Sequence, residues 1–198
     1  GSIGQVNNAI TNGGLDANQM AQAKVVRAYL HWRLMDLYGN IVIADGSGSS
    51  AQSSRSAVFS WIEGELLSAL GMGSSFDISK VSNSALGTND EKYRINQYSA
   101  LGILAKLYLN AEVYTGNERY SDAASAAGYI IDNGPYTLSD SSVSVPNLGK
   151  RPSVSTDPDN LVGYAAIFAT NNENNPEIIW SVEYDEATAG GMNFHHMT

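Results

Sequence analysis

The chain has no cysteine. That absence removes disulfide scaffolds, thiolate zinc sites, iron–sulfur clusters and cysteine nucleophiles in one step. Basic residues are scarce: 11 Lys and Arg stand against 20 Asp and Glu in 198 residues, for a formal charge of −9. The cations are scattered singly, so nucleic acid and anionic membrane surfaces are poor candidates as partners. An acidic, neutral or protein partner stays open. No apolar run approaches the roughly 18 residues that a membrane-spanning helix requires. The only histidines are His31, His195 and His196. They include no His-x-x-x-His pair, and the adjacent His195 and His196 point apart in a strand or loop, which argues against zinc. A Gly-x-Ser-x-Gly elbow, a phosphate-binding loop and a Gly-x-Gly-x-x-Gly run are also missing. Serine-nucleophile and nucleotide chemistry therefore lack support. Gly1-Ser2-Ile3-Gly4 has neither the charged nor the apolar region of a signal peptide, so the chain opens as a processed or internal stretch would.

What is present describes a globular chain, 43% apolar and 16% charged, long enough for one sizeable core. Asp16 with Gln19 three residues later has the form of a capping box. Met20, Ala23, Leu30, Leu34 and Leu37 then recur at mostly three- and four-residue steps. This predicts a helix over Ala17–Tyr38 ending at Gly39, followed by a short extended exit at Ile41-Val42-Ile43. Residues 45–54 read as exposed loop. A second helix is expected at residues 57–70, with Val58, Ile62, Leu66 and Ala69 on one stripe, and Gly/Ser-rich residues 71–90 again as loop. The third, residues 97–114, carries Leu101, Leu104, Leu107, Tyr108 and Ala111, with Gly116 just past its end. A fourth, residues 122–132, opens on Ser121 as N-cap and stops at Asn133-Gly134-Pro135. Residues 139–160 read as loop. Glu177 to Tyr184 is expected to be extended, because Ile178, Trp180, Val182 and Tyr184 alternate with Ile179, Ser181 and Glu183.

Two helices resemble each other. Ala28, Leu30, Gly39 and Asn40 recur as Ala105, Leu107, Gly116 and Asn117, an offset of 77 (116 − 39). A reused helix–turn–helix unit predicts a mainly α chain of stacked, tetratricopeptide-like helical hairpins with a few short strands, spanning residues 1–198 as one region.

Three segments together resemble the SusD/RagB family, surface glycan-binding lipoproteins of Bacteroidetes. The first is AQAKVVRAYLHWRLMDLYGNIVI (21–43), similar to the family's Arg-Ala-Tyr helix ending in an aromatic-Gly and a short strand. The second is YRINQYSALGILAKLYLNAEVY (93–114) leading to YSDAASAAGYIIDNGPYTL (120–138), similar to its paired helices. The third is NNENNPEIIWSVEYD (171–185), similar to its Asn-Glu-Asn-x-x-Glu-Ile-Ile strand. Between them, SRSAVFSWIEGELLSAL (54–70) fits an intervening helix. The likeness covers about residues 17–193. The family's lipobox cysteine and first helices, and its large carboxy-terminal half, have no counterpart here, so the lipid anchor is not present in this chain. The resemblance implies a non-catalytic role at the outer membrane: binding oligosaccharide and delivering it to a SusC-like TonB-dependent transporter. It also implies that Asn171–Asn175 is a turn entering a strand whose Ile178, Trp180 and Val182 are core, and that Arg27 and Tyr29 are structural.

Glu183, Asp185 and Glu186 are close in sequence, and glycoside hydrolysis needs two carboxylates about 5 to 9 Å apart. Alternation separates their faces, and they read as a solvated acidic strand end rather than a catalytic pair. Asp157-Pro158-Asp159-Asn160 offers oxygen ligands without the calcium-loop pattern. A sugar presents apolar C–H faces rimmed by hydroxyls, so it needs an aromatic platform with amide or acid partners. Tyr184, Asn193, Phe194 and His195, beside Gly190-Gly191, form such a set and are the candidate substrate-binding residues. No catalytic residue, metal or cofactor is expected. Trp32 and Trp61 fall on helical stripes and read as packing. A helical-repeat scaffold that binds proteins without sugar is the alternative.

Overall fold

The computed structural model describes residues 1–139, 142–145, 159–162 and 175–182. They form a mainly helical structure. Helix α1 spans Ser2–Asn12, α2 Ala17–Tyr38, α3 Arg55–Ala69, α4 Gln97–Leu109, α5 Ala111–Thr115 and α6 Tyr120–Asn133. Strands β1 (Ile41–Val42) and β2 (Gln52–Ser53) pair antiparallel, Ile41 opposite Ser53. A second antiparallel pair, β3 (Ser142–Val145) and β4 (Asp159–Val162), sets Ser142 opposite Val162. Helix α2 packs chiefly on α3, and α4 chiefly on α6. These two hairpins share one core through the contacts of α3 with α4 and α5.

Several local rules decide where the helices lie. Asp16 caps α2 reciprocally: its carboxylate accepts from the Gln19 amide at 2.8 Å, and the Gln19 side chain accepts from the Asp16 amide at 3.1 Å. Asn96 and Ser99 make the same arrangement at the start of α4. The expected stripes of the second and third helices are buried in full, Leu66, Leu101, Leu104 and Leu107 completely so. Gly39 and Gly116, equivalent in the 77-residue offset, both hold positive φ, +77° and +81°. The correspondence is one of helix endings, since Leu30 is half-buried where Leu107 is buried.

The structure departs from the sequence reading at several points. The residues that α2 sends into the core are Ala21, Val25, Ala28, His31, Trp32 and Met35. In the expected stripe Leu34 only packs against the edge of the core, Leu30 is half-buried, and Leu37 is 64% exposed. With Ile3 and Gly4, that stripe walls an apolar groove beside the start of α1. Helix α1 was not anticipated. Its N-cap is Gly1 and offers no side-chain bond, and eleven residues alone are short for a stable helix. Asn7 docks it, donating to the Ala44 carbonyl at 2.7 Å and accepting from Arg27 at 3.1 Å. The third expected helix breaks at Asn110 into α4 and α5. Helix α6 starts at Tyr120 rather than after Ser121, with Arg119 at the cap position bonded to Glu63 and Asp122. Residues 78–83, expected as loop, form a short 3-10 turn whose Val81 is buried. Strands β3 and β4 likewise fall partly in a stretch expected to be loop.

The expected strand from residue 177 is not a strand over 177–182. Residues 176–177 turn, and Ser181 donates to the Lys92 carbonyl at 2.9 Å in an isolated bond. Ile179 and Trp180, neighbours that alternation places on opposite faces, both pack on the core, and Val182 is 57% exposed. A period-two apolar pattern gives a half-buried strand only beside another strand's edge. Here the chain lies across helices instead, and Trp180 meets Tyr29 edge-on at 5.1 Å.

Candidate functional site

The residues singled out for ligand binding, Tyr184, Asn193, Phe194 and His195, lie outside the described residues, as do Glu183, Asp185, Glu186 and His196. What the structure does place is the segment leading to them. Its anchors are Trp180 on Tyr29, Ser181 on Lys92, the Thr137 amide on the Pro176 carbonyl at 3.3 Å, and the Ser139 amide on the Glu177 carboxylate.

The loop before α4, to which Ser181 bonds through the Lys92 carbonyl, also walls a polar recess of about 330 Å³, lined by Asn18, Gln22, Gly87, Thr88, Asn89, Glu91, Arg94 and Ile95. One wall is the first two turns of α2 and the other is the loop before α4. Residues at the start of α4 hold that loop. Gln97 donates to the Gly87 carbonyl from its backbone and to the Leu86 carbonyl from its side chain, both at 2.9 Å. Asn96 reaches the Asn89 carbonyl at 2.8 Å. Buried Leu86 and Ile95 pin the two ends of the loop. On the facing wall, Asn18 donates to the Ala85 carbonyl at 2.8 Å and accepts from the Gln22 amide. The two walls are thus tied together, and the recess is preformed.

Its charges are internally balanced. Arg94 and Glu91 pair at 2.7 Å, both largely exposed. Lys92 is buried, bonded to Asp90 at 2.7 Å and seated over the Tyr136 ring at 4.9 Å. Burial raises the Tyr136 phenol above its ordinary pKa, so it stays neutral there. The uncharged polar side chains of its lining are Asn18, Gln22, Thr88 and Asn89, beside the charged Glu91 and Arg94. Amides and hydroxyls both donate and accept, as a sugar hydroxyl does. Tyr29, which carries Trp180, follows Gln22 by two turns on the same face of α2. Among the described residues, no group of three or more His, Asp or Glu is placed to hold a metal ion.

None of the recess residues was singled out in the sequence. The signal available was the polar run Thr88-Asn89-Asp90-Glu91, which read as ordinary loop because its facing wall lies some seventy residues away. The chain matches no known family model and no curated protein.

Proposed function

We propose that this chain belongs to a non-catalytic glycan-binding protein of the SusD/RagB kind. In this reading it is displayed as a lipoprotein on the outer membrane, captures oligosaccharide and passes it to a SusC-like TonB-dependent transporter. The resemblance in the motifs of residues 21–43, 93–138 and 171–185 motivates the family. The observation that carries the ligand class is the preformed, amide-walled recess between α2 and the 87–95 loop. Its volume sits near the lower end of the roughly 300–1,000 Å³ range for small-molecule sites, which fits one or two sugar rings. Its polar groups suit hydroxyls. The segment carrying Trp180 and Ser181 is anchored to the same loop through Lys92, and in sequence leads on to Tyr184 and then to Asn193, Phe194 and His195.

The test is a glycan array followed by calorimetry on each hit, with product analysis after prolonged incubation. Sugar binding without turnover is the expected result. Cleavage of a bound glycan would contradict the non-catalytic reading. Capture of the transporter with no sugar bound at any concentration would replace it with the helical scaffold.

A further inference from the structure

We infer that Glu91 makes the recess selective for uncharged saccharides, by holding the Arg94 guanidinium that a sugar carboxylate would otherwise take. The inference rests on the glycan reading of the recess and adds a specificity-determining residue to it.

An arginine fork is the side chain best suited to a carboxylate, which it grips through two parallel N–H···O bonds. Among the described residues, Arg94 is the one arginine on the recess wall, and its Nε already donates to Glu91 at 2.7 Å. The other cation of the loop, Lys92, is turned into the protein, with its ammonium on Asp90 and over Tyr136. Across residues 90–94, Asp90 and Glu91 therefore compensate Lys92 and Arg94 one for one. Glu91 and Arg94 line the recess together, so a uronic acid that pairs with Arg94 also brings its carboxylate close to Glu91, and like charges brought together oppose binding. A neutral ring has no charge to meet that repulsion and can use the amides of Asn18, Gln22 and Asn89 and the Thr88 hydroxyl. Because the Glu91–Arg94 pair is exposed, 60% and 67%, salt screens it and its influence is modest. A preference of about two- to fivefold is the scale expected, below one decade of affinity.

The decisive experiment titrates matched ligands by calorimetry at low salt: uronic-acid oligosaccharides from galacturonan, mannuronan and glucuronoxylan, each against its carboxyl-reduced counterpart. The wild-type protein should favour the reduced member of a pair by a few-fold. Glu91→Gln should invert that ratio toward the acidic member by freeing the guanidinium, and adding Arg94→Gln to it should bring the ratio to about unity, with neither charge left. Circular dichroism checks that these surface changes leave the helices intact. An unchanged ratio in Glu91→Gln overturns the assignment of Glu91 while leaving the recess as a sugar site. Tighter binding of the acidic member by wild type does the same. No binding of either member across the panel sinks the saccharide reading itself, and the inference with it.

Discussion

Arg27 ties the amino-terminal half of the molecule together through contacts to three other segments. Its guanidinium bonds Glu65 of α3 at 2.7 Å, Asn7 of α1 at 3.1 Å and the Asp45 carbonyl at 3.2 Å, and lies 5.5 Å from the Trp61 ring centroid. One turn on, His31 is fully buried. Its Nε2 accepts from the Ala44 amide at 3.1 Å, so the proton sits on Nδ1, which donates to the Arg27 carbonyl at 2.8 Å. Burial is the main reason its pKa lies below the ordinary 6.5. The Arg27 charge adds to the lowering, while the backbone bond and the charges of Glu65 and Asp45 oppose it. The sign follows from linkage. The unfolded chain takes up the His31 proton first as pH falls, so stability is complete above about pH 6.5 and declines below it toward the lower folded pKa. The urea midpoint should therefore fall between pH 7.5 and 5.5. Much of that slope should vanish in His31→Gln, whose amide oxygen can still accept from Ala44. An equal slope in both proteins would mean other groups carry it.

At the scale of elements, legibility in the sequence tracked whether the deciding interaction was local. The start of α2 and the stripes of α3 and α4 follow from caps and period, and they lie where those predict. Helix α1 depends on Asn7 reaching a carbonyl 37 residues away, which no window contains. The buried face of α2 was misplaced because the helix packs on two sides. Its leucines flank α1, while smaller residues, one aromatic and a histidine enter the core. The 175–182 segment carries a strand's pattern without a strand to pair with. The recess was illegible for the same reason as α1, since its two walls meet only in the folded chain. The shared core of the two hairpins gives a direct test. Leu104 is fully buried, so Leu104→Ala removes transfer energy and leaves a cavity, costing about 2–5 kcal/mol. A loss below about 0.5 kcal/mol in denaturant unfolding, the range of surface changes, would take α4 out of the core.

On the scale of the whole molecule, two helical hairpins share one core, with a polar recess between α2 and the loop before α4, and the 175–182 segment anchored on that loop and on Tyr29. Lipoprotein display and hand-over to a transporter belong to the proposed role of the intact protein. The recess is the part of that proposal this chain can answer for. Asn89 is exposed on its wall and holds its own loop through its backbone carbonyl, so truncating its side chain leaves that anchor in place. Each amide hydrogen bond contributes about 0.5–1.5 kcal/mol, which for Asn89 and Gln22 together amounts to roughly one decade or more in affinity. The measurement is calorimetric titration of a neutral oligosaccharide, chosen from array hits, into wild type and Asn89→Ala/Gln22→Ala. The account predicts saturable binding by wild type, weakened about tenfold or more in the double variant with the helical circular dichroism unchanged. Equal affinity in the two proteins would contradict it.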